Sequence, residues 1–282
     1  MEVHPIDALM PAEMAVKAEE TGVAKANMSV SKTLVLAVLA GAFIAFGAIF
    51  FTTVTTGSTM PYGFTRLFGG FAFSLGLVMV IVGGAELFTG NNLIVMAWAN
   101  RKVSTAQLLT NWGLVYLGNA IGALFVVALN FFGKQYLFAS GSVGKNILNI
   151  AKAKCELDFM QALMLGILCN ILVCLAVWLS YSSQSISGKI ISIVFPITAF
   201  VACGFEHSIA NMYFIPKAIL LLEYGDQSFL SLVNQGDVSY NVITWHNYLW
   251  HNLLPVTIGN IIGGAVLVGF VYWFVYLKKR IS

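Results

Sequence analysis

The chain alternates long apolar runs with short polar intervals. Six runs, at about 33–54, 67–97, 110–132, 160–182, 190–222 and 250–277, are each long enough to cross a bilayer, which takes about 20 apolar residues. They lack the period-two alternation of a barrel strand. Helices are therefore predicted, since a helix satisfies its own backbone hydrogen bonds in lipid. Only 10% of the 282 residues are charged and 59% are hydrophobic, against about 25% charged in soluble domains. One integral membrane domain, residues 31–280, is expected. Residues 1–30 are expected to be a cytoplasmic segment in which 6–25 form an amphipathic helix on the membrane surface. No basic-then-apolar leader is apparent there.

An internal repeat organises the apolar runs. Asn111–Leu124 (NWGLVYLGNAIGAL) and Asn252–Ala265 (NLLPVTIGNIIGGA) share Asn, Gly, Asn, Ile and Gly at an offset of 141. Gly84, Glu86 and Asn91 of GAELFTGNN match Gly204, Glu206 and Asn211 of GFEHSIANM at an offset of 120. Two three-span units follow, at about 31–133 and 158–280. Each crosses an odd number of times, so the second enters from the opposite side, giving an inverted 3+3 repeat of the kind found in transporters and channels. Gly118 with Gly122, and Gly259 with Gly263, form GxxxG pairs suited to close helix approach.

The second and fifth runs are too long for plain helices, so both are expected to be broken. Gly90 followed by Asn91 and Asn92 reads as a break and restart, with asparagine as N-cap, and Asn211 takes the same part in the other copy. A half-helix N-terminus exposed at such a break attracts an anion. Glu86 and Glu206 are the acidic residues deep in the spans, where a carboxylate costs at least about 2.5 kcal/mol unless partnered. Two roles are open to them: accepting backbone N–H groups freed by the breaks, or binding a cation or relaying protons. The symmetric placement favours the first. His207 has no counterpart, since Leu87 occupies the matching position. A lone core histidine is usually a satisfied hydrogen-bonding residue, but beside a break it is a candidate donor to an anion, or a proton source turning a weak acid into its neutral form.

Charge supplies orientation. Nine Lys and Arg lie on the side of the N-terminus (Lys17, Lys25, Lys32, Arg101, Lys102, Lys189, Lys278, Lys279 and Arg280) and six opposite (Arg66, Lys134, Lys145, Lys152, Lys154 and Lys217). Both termini are thus expected in the cytoplasm. The lysines before span four make a positive mouth that concentrates anions. The four cysteines show no metal or redox spacing and read as buried thiols. His4, His207, His246 and His251 converge on no metal pattern, and nothing suggests nucleic-acid binding.

TTGSTMPYGFTRLFGG, GAELFTGNN, ILVCLAVWLSYS, GFEHSIANMYFIP and LLPVTIGNIIGG, with HPIDALMPAEMA at the N-terminus, resemble the formate/nitrite transporter family over essentially the whole chain. The resemblance implies an aquaporin-like six-helix protomer, assembled as a homopentamer in the bacterial inner membrane. It implies passage of formate and similar small monovalent anions without a bound cofactor. It also implies a central His207 paired with Thr89, a Leu87–Phe88–Thr89 segment in the second-span break, and constriction residues Phe73, Leu77 and Phe200. Asn170, polar in an apolar run, is expected to bond across helices or to face the pore, and the resemblance implies that it and Lys154 favour admission of the anion. Glu86 departs from the aspartate of similar formate channels by one methylene. Nitrite or hydrosulfide transport is the alternative within the family. A neutral-solute pore of the aquaporin type would need paired Asn-Pro-Ala motifs, which do not occur. A membrane-bound enzyme would need the metal or redox spacing already found missing. A formate-producing enzyme is the expected partner of residues 1–30.

Overall fold

Polar caps at the ends of the apolar runs set where several helices begin. Ser104 accepts the Gln107 N–H while Gln107 returns a bond to Ser104, and Asp158 and Ser185 likewise cap the helices that follow them. The computed structural model describes residues 8–236 and 238–278. Expectations resting on His4, Lys279 and Arg280 fall outside them.

Among the described residues the elements run α1 (Pro11–Ala26), α2 (Val30–Thr55), α3 (Tyr62–Gly83), α4 (Phe88–Asn91), α5 (Val95–Ala99) and α6 (Thr105–Phe132). Then follow α7 (Ser142–Cys155), α8 (Phe159–Ser182), α9 (Ile186–Ala202), α10 (Ser208–Tyr224), α11 (Gln227–Asn234) and α12 (Asn247–Leu277), the last largely wide-turned π-helix. Five described helices, α2, α3, α6, α8 and α12, are long and apolar enough to cross a membrane. The apolar run at 190–222 is divided between α9 and α10, neither of them long enough alone.

The packing recurs in the two halves. α2 packs on α3 and α6, α8 packs on α9 and α12, and α3 meets α9 between them. Small residues permit the approach. A Cβ on Gly122 would lie 1.9 Å from the Val38 carbonyl oxygen, and one on Gly263 would lie 2.2 Å from that of Ile167. α1 does not hang free: it packs on α5, α8 and α12. Leu9 and Ser182 exchange hydrogen bonds, and Glu19 holds Lys102 and Asn100.

The breaks lie earlier than Gly90 and Asn211. α3 ends at Gly84 and α9 gives way at Gly204, both left-handed at φ 77° and 76°, a conformation glycine adopts without a Cβ penalty. Residues 85–87 and 205–207 are non-helical. Asn91 ends α4, ahead of a single 3-10 turn at Asn92–Ile94, and Asn211 lies inside α10; neither side chain caps a helix. His207 is the N-cap of α10, its Nδ1 accepting from Ala210 N–H at 3.1 Å. Lys217, counted above with the loops, is buried in α10.

Candidate functional site

Each break is tied down by one asparagine from a neighbouring helix. Asn119 of α6 donates to the carbonyls of Ala37 (2.7 Å) and Glu86 (2.9 Å) and accepts from Phe88 N–H (2.9 Å). Asn260 of α12 repeats this with Gly166 (2.8 Å), Glu206 (3.0 Å) and Ser208 (2.9 Å). Freed backbone groups inside a membrane protein must find partners, and asparagine, with donor and acceptor on one short chain, supplies both.

The glutamates do not take the freed N–H groups. Glu86 pairs with Lys25 of α1 at 2.9 Å and accepts from Asn91 at 2.7 Å. Glu206 pairs with Lys154 of α7 at 2.8 Å and accepts from Asn211 at 2.7 Å and Asn252 at 3.1 Å. The backbone demand is met by Asn119 and Asn260 together with the Leu36 and Leu165 carbonyls, which accept from the Glu86 and Glu206 N–H groups, so the carboxylates are left to neutralise lysines. Glu86, Asn91, Glu206 and Asn211 therefore brace the breaks through side chains. Asn111 and Asn252 complete the two clusters.

Two cavities approach the breaks from opposite sides and share no lining residue. The α7-side cavity, about 470 Å³, ends at Phe73, Phe200 and His207 and is lined also by Lys154, Glu206 and Arg66. The α1-side cavity, about 190 Å³, ends at Leu77 and Leu87 and is lined by Lys25 and Glu86. Between them Phe73 and Phe200 meet edge to face at 5.8 Å, and Phe200 stacks on the His207 ring at 5.9 Å. Phe73, Leu77, Leu87, Phe200 and His207 are all at most 3% exposed.

His207 Nε2 lies 3.1 Å from Thr89 Oγ1, joining the two breaks. Because Nδ1 already accepts the Ala210 N–H, the neutral ring carries its proton on Nε2 and donates to Thr89. The Thr89 hydroxyl hydrogen is then free for a third group. Thr89 is itself held through its carbonyl by Asn170 (3.3 Å) and Cys174 (3.3 Å).

Two expected pathway residues sit elsewhere. Phe88 turns onto Tyr116 (4.9 Å) and Trp112 (6.2 Å) of α6. Asn170, fully buried, lines neither cavity and bonds across helices to Thr89, Asn92 (2.8 Å) and the Asn260 carbonyl (2.6 Å). It positions Thr89 instead of facing a permeant anion. Lys154 lines a cavity, but as half of an ion pair. Cys203 is exposed and lines the same cavity, unlike the other three cysteines. Sequence reasoning placed Lys25 and Arg66 only in the charge count and Asn119 and Asn260 only in the repeat, and gave none of them a part in the site. The two asparagines were visible in the repeat, as the second of the two asparagines shared by otherwise apolar runs.

Helices of membrane length, with two cavities that reach the paired breaks and apolar side chains between them, are the architecture of a membrane transporter or channel. The formate/nitrite transporter family model matches residues 12–274, and the chain belongs to that family, whose members transport solutes and are not enzymes. It is 47% identical over 278 residues to the formate channel FocA of Escherichia coli strain K12, covering 98% of each chain. It is 41% identical over 263 residues to formate channel FocA of Haemophilus influenzae, covering 93% of each. A solved pentameric formate channel with formate bound superposes with TM-score 0.83 at 43% identity, over 88% of this chain and 98% of that one.

Proposed function

We propose that the protein is a formate channel of the bacterial inner membrane, working as a homopentamer with a passage in each protomer. Formate moves between the two cavities past Phe73, Phe200, Leu77 and Leu87, and His207 with Thr89 receives it. The observation that carries the reading is the Thr89–His207 contact between two cavities closed by apolar side chains. An anion leaving water there loses hydration, and the Nε2–H and the threonine hydroxyl are the donors at hand. Since a second ring proton would have to displace the Ala210 N–H from Nδ1, the ring acts as a neutral donor to the anion, not as a full proton relay. Similar small monovalent anions, nitrite and hydrosulfide among them, meet the same donors. The bias of Lys and Arg supports α1 and both termini being cytoplasmic. A formate-producing enzyme would dock on the outer face of α1, where Met10 and Val16 are exposed; co-purification unchanged by Val16→Glu would remove that face from consideration.

The test is uptake of labelled formate by proteoliposomes across a pH series. His207→Phe should slow flux at neutral pH by about 10–100-fold, the worth of a hydrogen bond to a charged group. The deficit should narrow in acid, where the neutral acid supplies its own proton. His207→Asn, which keeps an oxygen acceptor for the Ala210 N–H, guards against simple misfolding. Wild-type flux in both variants at every pH would refute the role.

A further inference from the structure

The two cavities differ in net charge. On the α1 side the lining charges are Lys25 and Glu86, which cancel. On the α7 side Lys154 is matched by Glu206, yet Arg66 lines the same cavity and, among the described residues, has no carboxylate within ion-pair distance. Its acceptors are the carbonyls of Ala202 (3.2 Å, from Nε) and Val201 (from Nη2), at the last turn of α9. The dipole of that helix end supplies about half a negative charge, so a net positive charge remains.

The side chain is also fixed in place. Its guanidinium lies 5.6 Å from the Phe51 ring centroid, and Lys154 lies 5.7 Å from that of Phe214. The two rings meet edge to face at 6.0 Å. Both cations of the cavity thus rest on one aromatic pair that also lines it. Two of the five guanidinium N–H groups are used on carbonyls, and the remainder have no protein acceptor among the described residues. Arg66 stands seven residues before Phe73 on α3, two turns along the same helix face and about 10 Å away.

We propose that Arg66 is an anion-binding residue of the α7-side cavity, whose planar fork holds one small carboxylate above the Phe73–Phe200 pair before it reaches His207. The fork matches the two oxygens of a carboxylate, which the single ammonium of Lys154, already engaged by Glu206, does not. The inference rests on the formate reading and adds a loading site to it.

Initial rates of labelled formate movement are measured in right-side-out and inside-out membrane vesicles carrying wild type, Arg66→Gln or Arg66→Lys. Arg66→Gln should raise the half-saturating formate concentration at the α7-side face by about tenfold, as loss of a charge-assisted hydrogen bond requires, with the limiting rate little changed. Arg66→Lys, which keeps the charge but not the fork, should recover only a minor part of the affinity. Unchanged half-saturation in Arg66→Gln would overturn the proposal. So would an equal loss of limiting rate in both variants, which would make Arg66 only a cap for α9. In parallel, sodium formate should raise the thermal midpoint of the detergent-solubilised wild type by more than that of Arg66→Gln, which keeps the His207–Thr89 donors alone. If wild type carries no formate, the channel reading fails by itself, and this binding comparison still decides whether Arg66 holds the anion.

Discussion

Asn260→Ala removes three hydrogen bonds that hold the break bearing His207. The Gly166 carbonyl lies inside α8 and keeps its helical partner. The Ser208 N–H and the Glu206 carbonyl have no such recourse: both residues are buried, at 0% and 4% exposure, where water cannot replace the amide. Two stranded groups at about 1–3 kcal/mol each give a loss on the order of 2–6 kcal/mol. Measured side-chain bonds in membrane proteins, averaging about 0.6 kcal/mol, put the outcome toward the lower end. The assay is the thermal midpoint of the purified oligomer in detergent, followed by formate flux. At about 2–4 °C per kcal/mol for a chain of this size, the midpoint should fall by roughly 5–10 °C. Asn119→Ala, which breaks the matching set at Ala37, Glu86 and Phe88, should lose a similar amount while leaving the His207 cap in place. If either variant melts with wild type, the asparagines are not what satisfies the breaks.

Three further outcomes are expected. Lys217 is fully buried, and among the described residues its Nζ has no hydrogen-bond acceptor, only the Phe131 and Tyr136 rings at 5.3 Å and 5.6 Å, so Lys217→Met should raise the thermal midpoint, as removal of a buried polar group without a hydrogen bond does; a lower midpoint would show that the two ring contacts outweigh that burial cost. Lys154→Ala strands Glu206 at a cost of about 3–5 kcal/mol, so adding Glu206→Gln should restore part of the stability and flux, whereas additive losses would show that the pair is not coupled. Gly122→Ala should destabilise the α2–α6 contact by at least the roughly 1–3 kcal/mol of ordinary overpacking, because the obstacle is the backbone at Val38; a variant as stable as wild type would mean that α6 moves without loss.

How much of this was legible in the chain depends on the range of the interaction. The membrane class and the six apolar runs follow from hydrophobicity summed along a segment, so both could be read from the sequence. So could the importance of the polar stretch Gly204–Met212, since polarity among apolar neighbours needs a partner wherever it falls. The position of the breaks could not. Gly84 and Gly90 are equally capable punctuation by type, and the choice fell to the one whose following backbone groups meet Asn119.

Facing and pairing were decided by the tertiary structure alone. Apolar residues surround the passage on every side, so nothing in the local pattern separates Leu87, which lines a cavity, from Phe88, which turns onto α6. Lys154 reads as a free cation until the fold sets it beside Glu206, 52 residues later. Lys25 reads as part of a surface helix until α1 is seated under the first break. Hydrophobicity belongs to a segment and survives without context, whereas the charge a side chain presents depends on which distant group the packing sets against it.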